Sequence, residues 1–356
     1  MKYLLILFLG IAVVLSCRKE KVGFEPTPYE LQIPSHFPKM IIPADNPMTV
    51  EGVELGRKLF YEKLLSKDNT ISCGSCHAPA NAMSDPKHFS EGVNGQLGNR
   101  NSMALINLGW DNAFFWDGRA KTLEDQIFEP VTNPVEMHET WPNAVAKLQK
   151  DVVYRNMFFK AFGEEGIDSV KVSKAIAQFV RTMISGRSKY DIMYKSENGL
   201  PLNAQELAIY ATVTNEEFAG YDLFKSLNGA DCFHCHNGPL MRIQTYSNNG
   251  LDATFTDLGR GEVTGNPSDF GKFKVPTLRN IAYTAPYMHD GRFETLDEVI
   301  THYSFGIQMS PTIDPLIEYA SQGGVQLDAF ERNLVKQFLY TLTDEAFINN
   351  PDFKEP

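Results

Sequence analysis

The sequence predicts a mostly α-helical protein built from two similar halves with long irregular connections. Three observations predict it. The pattern Cys-x-x-Cys-His occurs twice, as Cys73-Gly74-Ser75-Cys76-His77 and as Cys232-Phe233-His234-Cys235-His236. A second shared segment follows each copy: Arg100-Asn101 leads to Trp116-Asp117-Gly118-Arg119, and Arg279-Asn280 leads to His289-Asp290-Gly291-Arg292. Apolar alternation of period two is sparse, whereas helical apolar spacing recurs along the chain.

A length of 356 residues suits two moderate domains. A formal charge of −11 sets nucleic-acid binding aside, because that class needs the opposite sign. At the N-terminus, Lys2 precedes an apolar run over 4–15 that ends in Val14-Leu15-Ser16-Cys17. The run is too short for a membrane span and reads as a lipoprotein-type signal over 1–16, with Cys17 lipidated as an anchor on the periplasmic side of a bacterial membrane. An uncleaved anchor helix or a plain secretory signal is the alternative. Residues 17–49, polar and Pro-rich, then read as a tether or N-terminal arm.

The remaining elements follow in chain order. Leu55-Gly56-Arg57-Lys58-Leu59-Phe60 and Tyr221-Asp222-Leu223-Phe224 stand upstream of the two cysteine motifs as short amphipathic helices. Thr122 with Asp125 and Thr295 with Glu298 have the spacing of helix N-caps, so each Asp-Gly-Arg turns the chain into a helix. Further helices are predicted over 141–162, 170–184, 203–227 and 327–342. Residues 246–274, rich in Gly, Asn and Asp, predict a surface loop. Breaks at Gly186 and at Gly199-Leu200-Pro201 put the boundary near 187–202, dividing the body into 50–195 and 196–350.

The cysteines carry the chemistry. There are five, and setting Cys17 aside leaves two pairs, each followed at once by a histidine. Thiols at this spacing add across the two vinyl groups of a haem, while the adjacent imidazole supplies a nitrogen to iron. A zinc site made from Cys73, Cys76, Cys232 and Cys235 leaves His77 and His236 unexplained. The reading is therefore two covalently bound haem c groups in two cytochrome c-like haem domains related by an internal duplication.

These residues resemble the bacterial di-haem cytochrome c peroxidase family, which includes the MauG-type enzymes. The resemblance spans about 50–345 and rests on both Cys-x-x-Cys-His motifs, Gly98-Asn99-Arg100-Asn101, Phe115-Trp116-Asp117-Gly118-Arg119-Ala120, Asn133-Pro134-Val135-Glu136-Met137, Pro276-Thr277-Leu278-Arg279-Asn280 and Pro286-Tyr287-Met288-His289-Asp290-Gly291. It implies a peroxidatic haem held by His77 in the N-terminal domain and an electron-transfer haem held by His236 in the C-terminal domain. It also implies Trp116 as the electron mediator between them and Gln126 with Glu136 as the polar distal pair. Asn101 with the carbonyls of Thr284 and Pro286 matches a calcium site. Homodimers are common in this family.

Two departures stand out. Val93 occupies the place where many such peroxidases carry a removable distal histidine, so the first haem is expected to keep an open position; His88, five residues earlier, is the alternative ligand. Tyr303 stands fourteen residues after His289, where the common peroxidases place an axial methionine. A phenolate there favours ferric iron, with Met309 and His302 as competitors. The implied activity is that of a cytochrome-c peroxidase, reducing hydrogen peroxide to two waters with electrons from a small cytochrome c or cupredoxin. The alternatives are a MauG-like oxidase that modifies residues of a protein partner, and a non-catalytic di-haem electron-transfer protein.

Overall fold

The computed structural model describes residues 24–356; the expected signal and Cys17 lie outside the described residues. Helix α1 (Val50–Phe60) begins where Thr49 accepts a hydrogen bond from the Gly52 amide, and it buries Leu55, Leu59 and Phe60. Helices α2 (Cys73–Cys76), α3 (Leu123–Thr132), α4 (Trp141–Lys150), α5 (Val152–Phe162) and α6 (Ser169–Arg181) follow. Next come α7 (Lys189–Glu197), α8 (Ala204–Tyr210), α9 (Asn215–Lys225), α10 (Arg260–Thr264), α11 (Leu296–Thr301), α12 (Ala329–Tyr340) and α13 (Glu345–Ile348). Two short antiparallel strands, β1 (Tyr246–Ser247) and β2 (Phe273–Lys274), close the loop between them.

Two helix crossings organise the core, and they have the same chemistry. Gly56 on α1 meets α6 so closely that a Cβ there would strike the Ala175 carbonyl oxygen. Gly220 on α9 meets α12 in the same way, against the Leu334 carbonyl. One turn beyond each glycine an aromatic pair seals the crossing: Phe60 on Phe179, with ring centroids 5.4 Å apart, and Phe224 on Phe338, at 4.8 Å. Each crossing anchors its own apolar cluster. The expected caps are present too: Thr122 accepts from the Asp125 amide, and Thr295 and Glu298 form a reciprocal capping box.

Several expectations need correction. The 141–162 helix is two helices, because Asp151 ends α4 and its carboxylate caps α5 through the Val153 amide. Thr214 likewise caps α9 and splits the 203–227 segment. Residues 24–49 are no free tether. Phe37, Met40 and Met48 are buried, Trp110 Nε1 donates to the Pro38 carbonyl, and His36 Nε2 lies 2.6 Å from Asp191 Oδ1. Helix α7 straddles the expected division at 195/196, since Tyr190 and Met193 pack in the second cluster. The C-terminal tail returns to the first cluster through Phe347 and Phe353.

The expected loop at 246–274 is closed at its base by the β1–β2 pair and lies across the other half. Arg100 grips Asp257 through two 2.7 Å bonds, and Arg260 Nη1 donates to the carbonyls of Asp117 and Gly118, 3.0 Å each.

Gly220→Ala tests the crossings. Alanine ordinarily favours a helix by about 1 kcal/mol over glycine. Here the collision with a backbone carbonyl is expected to dominate, lowering unfolding free energy by roughly 1–3 kcal/mol in chemical denaturation; a stabilised variant would refute the close packing.

Candidate active site

Both cysteine motifs fold as a single tight turn. Ser75 Oγ accepts from the Ser72 amide at 3.0 Å in the first, and residues 232–234 form a 3-10 turn in the second. In each, the histidine amide donates to the carbonyl of the first cysteine at 3.0 Å, so thiols and imidazole are displayed from one compact unit. The imidazoles are oriented alike. His77 Nδ1 lies 3.1 Å from the Met83 carbonyl, and His236 Nδ1 lies 3.3 Å from that of Met241. Met83 and Met241 both adopt left-handed backbone, φ 62° and 51°, which turns those carbonyls inward. Ser102 Oγ also approaches the edge of His77, 3.3 Å from Nδ1 and 3.4 Å from Nε2.

Burial lowers the basicity of both imidazoles, that of His236 to about 4, so both are neutral near pH 7. Burial pushes the thiols of Cys73 and Cys232 up to about 12 and those of Cys76 and Cys235 up to about 11. Neutral imidazole held at one nitrogen by a carbonyl is the form in which histidine serves iron. Together with desolvated thiols, these residues fit a covalently attached haem at each motif.

A cavity of about 260 Å³ adjoins the second motif, lined by Cys232, Cys235, His236, Val299, Ile300 and Tyr303. Tyr303 sits in a π-helical turn over His302–Gly306. Its hydroxyl accepts from Asn249 Nδ2 at 3.1 Å, and burial pushes its pKa up to about 12 against that bond. Of the competitors, Met309 is 53% exposed and stands off the cavity. His302 is buried, with Nε2 at 3.2 Å from the Asn249 carbonyl. The thioether beside Tyr303 is that of Met288, 3.4 Å from the same Asn249 nitrogen. Sequence reasoning missed both Asn249 and Met288.

On the N-terminal side, the 133–139 loop folds back on α3, the helix that carries Gln126: the Met137 amide donates to the Pro130 carbonyl and that of Glu139 to Val131. Glu136 accepts from Asn133 Nδ2 at 2.7 Å, and burial raises its pKa against that bond. Its charge reaches both thiols of the first motif. Val93, 1% exposed, donates its amide to the Glu136 carbonyl at 2.8 Å. Gly92 is required beside it, where a Cβ would strike the Val135 carbonyl. His88 is half exposed and paired with Glu294 of the other half.

Trp116 spans the junction. Its Nε1 donates to the Asn101 carbonyl at 2.8 Å, and the Asn101 amide donates to the His289 carbonyl at 2.7 Å. The Asn101 side-chain nitrogen serves the carbonyls of Lys87 and His88. Trp116, Asn101, Thr284 and Pro286 all line the cavity that reaches His236. Among the described residues no group of three or more His, Cys, Asp or Glu side chains converges as a metal-ligand set.

A mostly helical chain with two such thiol–imidazole units defines a di-haem c-type protein. The sequence pattern of the di-haem cytochrome c peroxidase family matches residues 50–199. Cytochrome c551 peroxidase of Nitrosomonas europaea is 34% identical, covering 88% of this chain and 85% of that protein. Methylamine utilization protein MauG of Methylorubrum extorquens is 35% identical, covering 76% and 73%. The crystal structure of a MauG-like protein associated with microbial copper homeostasis superposes with a TM-score of 0.82 at 34% identity, covering 92% of this chain and 99% of that one. The chain belongs to the bacterial di-haem cytochrome c peroxidase family that includes MauG, as a di-haem c-type peroxidase.

Asn249→Leu removes the donor to the Tyr303 hydroxyl. The low-spin EPR g-values of the second haem are expected to shift while haem content stays unchanged; identical g-values would separate Asn249 from that iron.

Proposed function

We propose that this chain reduces hydrogen peroxide to two waters, consuming two protons and two electrons delivered singly by a small periplasmic cytochrome c or cupredoxin. In this reading the two clusters are cytochrome c-like haem domains related by duplication, a relation supported by the matched crossings at Gly56 and Gly220. The observation that carries the function is the partly buried carboxyl of Glu136, whose charge reaches the thiols of the first motif, with a valine bonded to its backbone in place of a ligating side chain.

Bound at Cys73, Cys76 and His77, a haem supplies the iron that exchanges electrons with peroxide oxygen. The protein supplies the proton path. Glu136, as carboxylate, takes a proton from one peroxide oxygen and returns it to the other, which leaves as water. Asn133 Nδ2 holds Glu136 Oε1 in place, while Gln126 orients peroxide by hydrogen bonding. Val93 keeps the access face of the first haem free of a protein ligand, a role to which the surface position of His88 lends support. Trp116 carries electrons across the junction.

Tyr303 would help hold the iron of the C-terminal haem, a role supported by its place on the cavity wall with His236. Calcium is proposed at Asn101, Thr284 and Pro286. The support is their common cavity and the engagement of the Asn101 amide nitrogen elsewhere, which leaves Oδ1 as the donor to a hard cation. A periplasmic location agrees with the family and with covalent haem; lipidation at Cys17 and a homodimer complete the proposal. Among the described residues no helix is long and apolar enough to cross a membrane. A second reading, oxidation of residues on a protein partner as a MauG-like oxidase, is favoured by Val93 and Tyr303 together.

Peroxide turnover with a reduced small cytochrome c tests the main reading. Glu136→Gln is expected to lose about 10²–10⁴-fold in rate with haem content intact; full turnover would remove Glu136 from the mechanism. Glu136 accepts a proton only when ionised, and its raised pKa places the acid limb above the usual glutamate value. Asn133→Leu takes away a bond that lowers that pKa, so the limb is expected to move to higher pH. An unmoved limb would assign it to another group.

A further inference from the structure

Three charged side chains lie buried where the two halves meet. Asp111, Arg242 and Lys274 are 0%, 1% and 6% exposed. Asp111 serves both cations: Oδ1 accepts from Arg242 Nη2, and Oδ2 accepts from Lys274 Nζ at 2.5 Å. One carboxylate thus faces two cations in a desolvated place. The neighbouring charges do not restore balance. Arg279, which faces Arg242, is committed to Asp191 through bonds of 2.6 and 2.8 Å, and Asp117 is held by Arg100 and Arg119. Arg242 Nε is buried with no hydrogen-bond partner among the described residues. A guanidinium nitrogen in that condition is costly unless an anion faces it.

Asp111, Arg242 and Lys274 all line the cavity that contains Cys232, Cys235 and His236. We propose that Arg242 and Lys274 form the anchor for a propionate carboxylate of the haem attached at Cys232 and Cys235. The inference rests on the di-haem reading above. A propionate brings the local count to two anions and two cations and supplies an acceptor for Arg242 Nε. Burial lowers the pKa of both cations, and the charge of Arg242 lowers that of Lys274 further, so the pair gains from a second anion.

The same anchor touches the electron route. The Lys274 amide donates to the Trp116 carbonyl at 2.7 Å, so the residue that holds the propionate also holds the backbone of the junction tryptophan. Arg242 Nη2 also donates to the Asn107 carbonyl at 2.9 Å, tying the second motif to the first half. Lys274 and Arg242 are therefore positioning residues that fix one haem edge against the junction.

Resonance Raman spectra and spectroelectrochemical titration of the holoprotein test this, with haem content counted for every variant. Lys274→Met and Arg242→Gln are expected to shift the propionate-bending band of the C-terminal haem and to lower its reduction potential, since loss of a nearby cation favours ferric iron. Asp111→Asn is expected to raise the potential. Lys274→Arg, which keeps the charge, is expected to restore values close to the parent, as a merely structural lysine would not require. Two haems per chain with an unmoved band and potential, or a shift confined to the other haem, would overturn the anchor and leave the di-haem reading standing. Absence of covalent haem from the parent protein would overturn both. If Lys274→Met fails to fold, the opposite shift in Asp111→Asn and the rescue by Lys274→Arg decide alone.

Discussion

The peptide carbonyls of Met83 and Met241 fix the two imidazoles on which the chemistry depends. A buried histidine needs a partner for one ring nitrogen, or it loses the hydrogen bonds it made to water. Each methionine meets that need by turning its backbone into the left-handed region, a conformation that costs a non-glycine residue about 1–3 kcal/mol. Both methionine side chains are buried in their clusters, which holds the turn in place. The tight cysteine turns then follow, because the histidine amide closes back on the first cysteine carbonyl in both motifs. Two short segments, alike in geometry and far apart in sequence, thus present the same ligand set.

Around these units buried ion pairs join the halves, beside the apolar return of Phe347 and Phe353 to the first cluster. Asp111 of the first half meets Arg242 and Lys274 of the second with all three side chains almost fully buried; beside the second cluster, Arg279 and His36 keep the Asp191 carboxyl well below the usual carboxylate range against the penalty of burial. Arg100 joins Asp117 to Asp257 across the junction. Pairs of this kind add little net stability over apolar packing, but losing one partner is severe. They select one relative placement of the halves, which suits a protein whose proposed work requires two haems at a fixed separation. The N-terminal arm serves the same end, since His36 and Phe37 reach Asp191 and Arg279 together.

Much of this was legible because it is local. The cysteine motifs, the Thr122 and Thr295 caps and the apolar faces of α1, α6, α9 and α12 all depend on residues within a few positions of each other. The helix breaks at Asp151 and Thr214 were also readable, since each is an N-cap residue within an apolar pattern; periodicity alone ran through them. Other features had no local signal. Asn249 and Tyr303 are 54 residues apart, and His36 and Asp191 are 155 apart. Nothing in either neighbourhood announces the pairing. Met309 was the nearer methionine in sequence, yet Met288 is the one that shares the Asn249 donor with Tyr303. The placement of α7 with the second cluster was obscured because the sequence breaks flank that helix on both sides.

Membership of the di-haem peroxidase family sets the chemistry, and two positions set this chain's version of it. In the proposed reading, Val93 would leave the first haem without a side-chain ligand from its loop, and Tyr303 would offer oxygen to the second. On the proposed reading, the first haem is open in the resting oxidised enzyme. Low-temperature EPR of the purified, fully ferric protein, with both haems accounted for, tests it most directly. A high-spin signal beside a low-spin one is the expected result. Two wholly low-spin signals would contradict it and would require a distal ligand that must leave before peroxide can bind.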